Sequence, residues 1–214
     1  MERLCFYLRI FPGTEDQLDQ RLGQLPGSVA DAIHRSGLRG LTLFRRGTDV
    51  WTYAECEPDA RTASAAYLAE PTIAAWHAGL ATVVAEMTRP DGGLLTYDEV
   101  FHANGGGTGP FERGMFGLVV APGRIGEYDA RHAEPWPEMM EALDASGFHN
   151  YSGFRRGSHV VYYGEFYPDM DTSVATIGAT DVNRRWTESF TGIITTITDT
   201  QGKLIRPREV LHLD

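Results

Sequence analysis

The residues best suited to acid–base chemistry are concentrated in the second half of the chain. A histidine with its ordinary pKa of about 6.5 transfers protons readily near neutral pH, and His132 lies on a predicted helix there. Tyr151 begins the next predicted strand, and Tyr163 and Glu165 lie on its hairpin partner. We expect these residues to converge on a pocket between helix and sheet, with either Tyr151 or Glu165 as the partner of His132.

A second group could hold a substrate. Its members are Trp136, His149, Tyr163 and Trp186. Structural interpretations compete with this one. Trp136 lies between two prolines, which is typical of a packing anchor at a kinked helix. Trp186 lies on an apolar stripe at helical spacing over residues 182–197, which favours a place in the core.

Motifs for metal or cofactor chemistry are missing from the sequence. It contains no HExxH or CxxC spacing for a metal and no GxSxG turn for a serine nucleophile. The glycine run at 105–107 follows a strand without opening a helix, so it does not match a phosphate-binding loop. We therefore predict neither a metal nor a cofactor.

The composition is that of an ordinary globular protein. Of the 214 residues, 42% are hydrophobic and 22% are charged. The formal net charge of -10 argues against a nucleic-acid partner, because it repels phosphate. No apolar run approaches the ~20 residues that span a bilayer. We expect a cytoplasmic protein with no membrane partner, in which Cys5 and Cys56 are small buried side chains.

The sequence repeats itself at an offset of 110 residues. Phe44-Arg45-Arg46-Gly47 aligns with Phe154-Arg155-Arg156-Gly157, and Trp76 aligns with Trp186. So long a period indicates a duplicated domain. The sequence predicts a first domain over residues 1–102, a glycine-rich linker over 103–112 and a second domain over 113–214.

Each copy predicts the element order β-α-β-β-α-β, which is the ferredoxin-like, α+β pattern. The first helix of each copy is expected over 15–36 and 124–146, and the closing strands over 94–102 and 204–213. A four-stranded sheet with helices on one face leaves the other face bare. We therefore expect the two copies to form a dimeric α/β-barrel pseudo-dimer within one chain. Whether two chains then form a further homodimer stays open.

The second copy resembles the L-rhamnose mutarotase family. The run Arg131-His132-x-x-x-Trp136-Pro137-Glu138-Met139 is similar to the family's R-H-x-x-x-W-P-E-L stretch, and Gly147-x-His149-Asn150-Tyr151 to its G-x-H-N-Y. Thr180-Asp181-Val182-x-x-Arg185-Trp186 and Glu209-Val210-Leu211-His212-Leu213 also match family motifs in order. The resemblance implies that His132 is a proton donor, that Tyr151 lines a sugar site and that Trp186 contacts the sugar.

The chain departs from the family at several positions. Thr187 replaces the second of two tryptophans, and His212 replaces a tyrosine. In the first copy, Leu22 and Leu41 stand at the positions of His132 and Tyr151. Because leucine cannot exchange a proton, the first copy is predicted to be a scaffold, with one active site per chain.

Three functions are compatible with these observations. The favoured interpretation is a cofactor-independent mutarotase or isomerase of a rhamnose-like aldose. The first alternative is a polyketide cyclase-like or cofactor-free monooxygenase-like enzyme of secondary metabolism. The aromatic residues Tyr162, Tyr163 and Tyr167 would suit the apolar substrate of such an enzyme. The second is a non-catalytic protein that binds small molecules.

Overall fold

A computed structural model describes residues 1–106, 109–196 and 205–214. It divides into two compact units, one of Met1–Tyr97 with Arg208–Asp214 and one of Asp98–Pro207. Each is built of antiparallel strands and short helices in the predicted ferredoxin-like order, so the tandem α+β repeat is confirmed. Residues 107–108 of the predicted linker lie outside the described residues.

The first unit begins at the N-terminus and places four helices between its strands. In chain order its elements are β1 (Glu2–Ile10), α1 (Glu15–Gly23), α2 (Gly27–Arg35), β2 (Leu38–Arg46), β3 (Asp49–Cys56), α3 (Ala60–Ala69), α4 (Pro71–Gly79), β4 (Val84–Glu86) and the start of β5 (Leu95–Ala103). Its sheet is completed at one edge by residues 208–213 of the far end of the chain, which pair with β2.

The second unit repeats this order. It contains the rest of β5, then β6 (Glu112–Val120), α5 (Ile125–Ala133), α6 (Pro137–Ala145), β7 (Phe148–Arg156), β8 (His159–Phe166), α7 (Met170–Gly178), α8 (Asp181–Ser189) and β9 (Ile194–Thr196); β10 (Arg208–Leu213) belongs to the first unit. The strand order in the second unit is β5-β7-β8-β6-β9.

The closing strands are exchanged between the sequence copies. Residues 98–103, which end the first copy, pair with β7 in the second unit, and β10, which ends the second copy, pairs with β2 in the first. The compact units therefore differ at these strands from the sequence domains 1–102 and 113–214. A hydrophobic pattern shows that a strand exists, but it does not show which sheet the strand joins.

The predicted helices are each broken in two. The helices expected over 15–36 and 124–146 are interrupted before α2 and α6, where Pro26 and Pro137 lie at or next to the first helical position. Proline lacks the backbone N–H that a continuing helix needs and is favoured at a helix start. The apolar stripe over 182–197 is also not one helix: α8 ends at Ser189, Ile194 lies in β9, and Ile197 is outside the described residues.

Each unit has its own apolar core between its sheet and its helices. Cys5 and Cys56 are buried free thiols in the first unit, as their sequence setting predicts. Within the described ranges, no helix has the length and apolar character needed to cross a bilayer.

Candidate active site

A cavity of about 310 Å³ lies between the sheet and the helices of the second unit. Most of its wall is aromatic. The aromatic side chains that line it include Phe101, Phe116, Tyr128, His132, Tyr151, Tyr162 and Trp186. Asn183 and Thr187 add polar groups from α8. Apolar walls with a few convergent polar groups are typical of sites for small molecules.

His132 projects from α5 into this cavity and is buried, with 7% of its surface exposed. Its Nδ1 lies 3.0 Å from the backbone carbonyl oxygen of Tyr128, one turn earlier. Because a carbonyl only accepts, Nδ1 must carry the proton. Burial lowers the pKa of His132 below its ordinary value, and the Tyr128 carbonyl and the charge of Asp129 offset this only in part. The imidazole is therefore neutral at pH 7, with a proton-accepting Nε2.

Two tyrosines extend the hydrogen-bond chain from His132. The Tyr162 hydroxyl lies 2.7 Å from Nε2 of His132, and the Tyr128 hydroxyl lies 2.6 Å from that of Tyr162. Since Nε2 accepts, Tyr162 donates to it, and Tyr128 then donates to the Tyr162 oxygen. Burial raises the pKa of both tyrosines, so both are protonated at neutral pH. The chain of donors runs Tyr128 to Tyr162 to His132.

Tyr151 reaches the cavity because β7 contains a bulge. The register between β7 and β8 shifts between His149 and Ser152, and Asn150 has a φ of 42°. Asparagine adopts this left-handed conformation more readily than most residues. The extra residue turns Tyr151 to the same face as Phe148. Its ring is nearly parallel to that of Tyr162 at 5.2 Å, and its hydroxyl makes no hydrogen bond to another residue in the described part of the chain.

Trp186 forms the helical side of the cavity. Its ring meets that of His132 edge to face, with centroids 5.8 Å apart. Trp136 stands behind it, also edge to face at 5.2 Å, and Arg185 lies over the Trp136 ring at 5.5 Å. Trp186 therefore lines the cavity, as the family resemblance implies and the helical stripe does not, whereas Trp136 supports it from outside.

Three predicted site residues lie away from this cavity. Tyr163 and Glu165 alternate with Tyr162 along β8, so their side chains point to the opposite face of the sheet. There the Glu165 carboxylate accepts hydrogen bonds from the Tyr163 hydroxyl at 2.9 Å and from Asn150 at 3.3 Å. His149 precedes the bulge and packs against Phe111 on that same face, with ring centroids 4.6 Å apart. The structure therefore does not bring Glu165, Tyr163 or His149 together with His132.

Sequence reasoning missed both tyrosines of the hydrogen-bond chain, Tyr128 and Tyr162, of which Tyr162 contacts Nε2 of His132. A signal was present, since strand alternation puts either Tyr162 or Tyr163 on the helix-covered face, but not both. The bulge at Asn150, which decides the face of Tyr151, carried a weaker signal: the aligned residue in the first copy is Gly40, with a φ of 55°. Glycine and asparagine are the residues that most readily adopt this conformation.

An ion pair fixes the helix that carries His132 and Tyr128. Both guanidinium nitrogens Nε and Nη2 of Arg155, on β7, lie 2.8 Å from the carboxylate of Asp129, on α5. A two-point contact of this kind sets direction as well as distance. Asp129 follows Tyr128 directly, so the pair holds the first turns of α5 on the sheet.

The first unit has a much smaller counterpart of this cavity. It measures about 50 Å³, and its wall includes Leu18, Leu22, Leu41 and Thr52, which align with Tyr128, His132, Tyr151 and Tyr162. The space beside Leu22 and Leu41 is thus apolar and narrower than the cavity beside His132 and Tyr151. Of the four aligned residues in the first unit, Thr52 alone has a group that can donate or accept a proton.

Comparison with known families agrees with the repeat. The family model for L-rhamnose mutarotase matches the chain twice, over residues 3–103 and 113–213. The chain belongs to the L-rhamnose mutarotase family. Membership confirms the resemblance seen in the sequence motifs and identifies the chain as an enzyme, an isomerase of the sugar-mutarotase class.

Individual relatives correspond to one copy of the repeat. An L-rhamnose mutarotase from Oceanobacillus iheyensis is 29% identical over 103 residues, which make up 48% of this chain and 99% of the relative. One from Bacillus subtilis is 33% identical over 97 residues, 45% of this chain and 93% of the relative. Two family domains in one chain thus distinguish this protein from these relatives.

Two solved structures share the fold over almost the whole chain. They are proteins from Fusobacterium nucleatum and Lactobacillus acidophilus that are assigned as monooxygenases. Their TM-scores are 0.54 and 0.55, each match covers 99% of this chain and 92% and 99% of the other, and the identities are 10% and 11%. At this identity the similarity shows the fold alone.

Proposed function

We propose that the second unit interconverts the anomers of an aldose, with L-rhamnose or a related 6-deoxy sugar as substrate. The observation that carries the proposal is the placement of a buried, neutral His132 on the wall of an aromatic cavity of about 310 Å³. The aromatic rings offer stacking surfaces to the C–H faces of a sugar ring, and the apolar wall suits a methyl group better than a hydroxymethyl group.

Anomer exchange needs two proton transfers and no electron transfer. A base takes the proton of the anomeric hydroxyl while an acid delivers one to the ring oxygen, and the ring opens; the reverse steps close it on the other face. Protein side chains supply both functions, so the proposal includes no cofactor. The family resemblance implied a proton donor at His132; in this proposal His132 is instead the base in the ring-opening direction, since the Nε2 of its neutral ring accepts.

Tyr151 is the partner of His132 in this proposal. The sequence left Tyr151 and Glu165 as alternatives, and the carboxylate of Glu165 lies on the opposite sheet face, bound to Tyr163 and Asn150. Tyr151 lines the cavity, and its hydroxyl is free of partners among the described residues. Its pKa is raised by burial, so at neutral pH it holds a proton to give.

The test is saturation-transfer NMR of L-rhamnose and a panel of common aldoses, which measures anomer exchange directly. We expect exchange by the unmodified protein and a rate about 10²–10⁴-fold lower for His132→Gln. The matched control is His77→Gln in the first unit, where another histidine bonds a buried tyrosine, Tyr67, at 3.0 Å. Full activity of His132→Gln, or equal loss in both variants, would show that His132 is not the base.

A further inference from the structure

Both nitrogens of His132 already have partners within the protein. Nδ1 donates to the Tyr128 carbonyl, and Nε2 accepts from the Tyr162 hydroxyl at 2.7 Å. A sugar hydroxyl would have to displace Tyr162 in order to reach Nε2 directly. The Tyr162 ring is held by nearly parallel rings of Phe116 and Tyr151, each with its centroid 5.2 Å away. The Phe116 and Tyr151 rings also lie close to each other, with centroids 6.4 Å apart, and the packing of this aromatic cluster opposes that displacement.

The strand beside Tyr162 is shaped to admit its ring. Gly153 on β7 is the cross-strand partner of Tyr162, and a Cβ at Gly153 would lie 2.7 Å from a ring carbon of Tyr162. In the first unit the corresponding cross-strand pair is Leu43 and Thr52. There the larger side chain, Leu43, lies on β2, the strand that corresponds to β7, whereas in the second unit the larger side chain, Tyr162, lies on β8. The glycine and the tyrosine thus occur together, in the unit that contains the larger cavity.

We infer that Tyr162 is a catalytic residue of the mutarotation: its hydroxyl contacts the anomeric hydroxyl of the sugar and relays that proton to His132. The inference rests on the proposed function and assigns the contact with the reacting atoms to a different side chain. His132 then acts as the base behind Tyr162, and Tyr128, which donates to the Tyr162 oxygen, positions it.

The relay balances protons and electron pairs. The O–H bond of the anomeric hydroxyl breaks as its proton joins the Tyr162 oxygen, and the proton that Tyr162 held joins Nε2 of His132. The freed electron pair on the anomeric oxygen forms the C=O bond, while the pair of the ring C–O bond passes to the ring oxygen. The ring oxygen takes the proton of Tyr151. The positive charge of the His132 imidazolium balances the negative charge of the deprotonated Tyr151, and ring closure reverses every transfer.

The hydrogen-bond capacity of Tyr162 matches both ends of this step. Before transfer, its oxygen accepts from Tyr128 and from the sugar and donates to His132. After transfer, it accepts from Tyr128 and from the imidazolium and donates to the new carbonyl. A phenol oxygen has one donor and two acceptor positions, and all three are used in each state.

The first experiment is the exchange rate of Tyr162→Phe with L-rhamnose, with Tyr67→Phe as the matched control. Both tyrosines are buried, and each has its hydroxyl on Nε2 of a histidine, His132 or His77. We expect Tyr162→Phe to lower kcat about 10²–10⁴-fold with a smaller change in KM, and Tyr67→Phe to leave both unchanged. Full activity of Tyr162→Phe, or an equal loss in Tyr67→Phe, would overturn the relay.

The second experiment separates a relay from a packing role. If Tyr162 and His132 act as a unit, Tyr162→Phe combined with His132→Gln is no slower than the slower single variant; losses that multiply would overturn the relay.

Fluorotyrosine incorporated at position 162 keeps the hydroxyl and lowers its pKa. The relay predicts a changed kcat, and an unchanged kcat would contradict it. If circular dichroism shows that Tyr162→Phe is unfolded, the fluorotyrosine variant is the one that tests the relay.

Failure of the relay and failure of the proposed function give different results. If the unmodified protein and Tyr162→Phe exchange anomers equally while His132→Gln does not, His132 acts directly and only the relay is wrong. If the unmodified protein exchanges no aldose, both are wrong.

Discussion

Lowering the pH should reduce anomer exchange and stability through the same side chain, His132. Burial disfavours its charged form and places its pKa below the ordinary value of about 6.5. The proposed chemistry needs Nε2 free of a proton. The rate should therefore be level above about pH 6.5 and fall tenfold per pH unit once the pH is below the lowered pKa.

The effect on stability follows from the same shift. Between the pKa of the unfolded chain and the lower pKa of the folded one, the unfolded state binds a proton that the folded state does not. The free energy of unfolding then decreases as the pH falls, by about 1.4 kcal/mol per pH unit for one such group. Below the folded pKa both states are protonated and this decrease stops. His77 in the first unit also has a pKa lowered by burial and contributes in the same direction.

The assay is exchange of L-rhamnose anomers and urea denaturation, both followed from about pH 8 to about pH 5. His132→Gln should reduce the pH dependence of stability and abolish most exchange. His77→Gln should also reduce the pH dependence of stability while leaving the acid limb of the rate unchanged. An acid limb centred at or above about pH 6.5, or one that moves in His77→Gln, would refute the assignment of that limb to a buried His132.

Three further predictions follow from the site and its supports. Calorimetric titration with L-rhamnose should give one site per chain, because the cavity of the first unit is about 50 Å³ against about 310 Å³ in the second; two equal sites would contradict the scaffold assignment. Trp186→Ala should raise KM about tenfold through loss of a stacking surface, whereas Trp136→Ala, from outside the cavity wall, should raise it less. Asp129→Asn should lower the free energy of unfolding by about 1 kcal/mol in urea denaturation, because it removes the charge that Arg155 bridges, while Asp181→Asn on the exposed face of α8 should change it less.

The fold was largely predictable because the repeat allows each element to be predicted twice. Each element had to fit two stretches of sequence at a fixed offset, and both gave the ferredoxin-like order. The predictions that were wrong concerned the continuity of the helices and the sheet that each closing strand joins. Pro26 and Pro137 break helices that apolar periodicity alone would continue. The exchange of the closing strands cannot be deduced from pattern, since either sheet satisfies the same alternation. The packing of the two copies as a pseudo-dimer stays a prediction.

The site was predictable only in part, for a geometric reason. His132, Tyr151 and Trp186 line the cavity as expected. Glu165 and Tyr163 were chosen by residue type, yet strand alternation carries them to the other face, and it brings their neighbour Tyr162 to the cavity instead. One residue of register decides between a carboxylate and a phenol beside the histidine. The bulge in the adjacent strand decides the face of Tyr151, and its only signal in the sequence is the weak one of Asn150 aligned with Gly40.

The comparison of the two units shows how a fold is kept while its chemistry is lost or gained. Leu18, Leu22 and Thr52 replace the hydrogen-bond chain of the second unit, Leu41 replaces Tyr151, and the first unit folds around them with a smaller cavity. A core requires apolar side chains of suitable volume and tolerates many identities. A proton relay requires a particular donor and acceptor at each step, so it fails when any one member is missing. Restoring histidine at position 22 alone should therefore leave the first unit inactive, because the tyrosines that orient and occupy its nitrogens would still be absent.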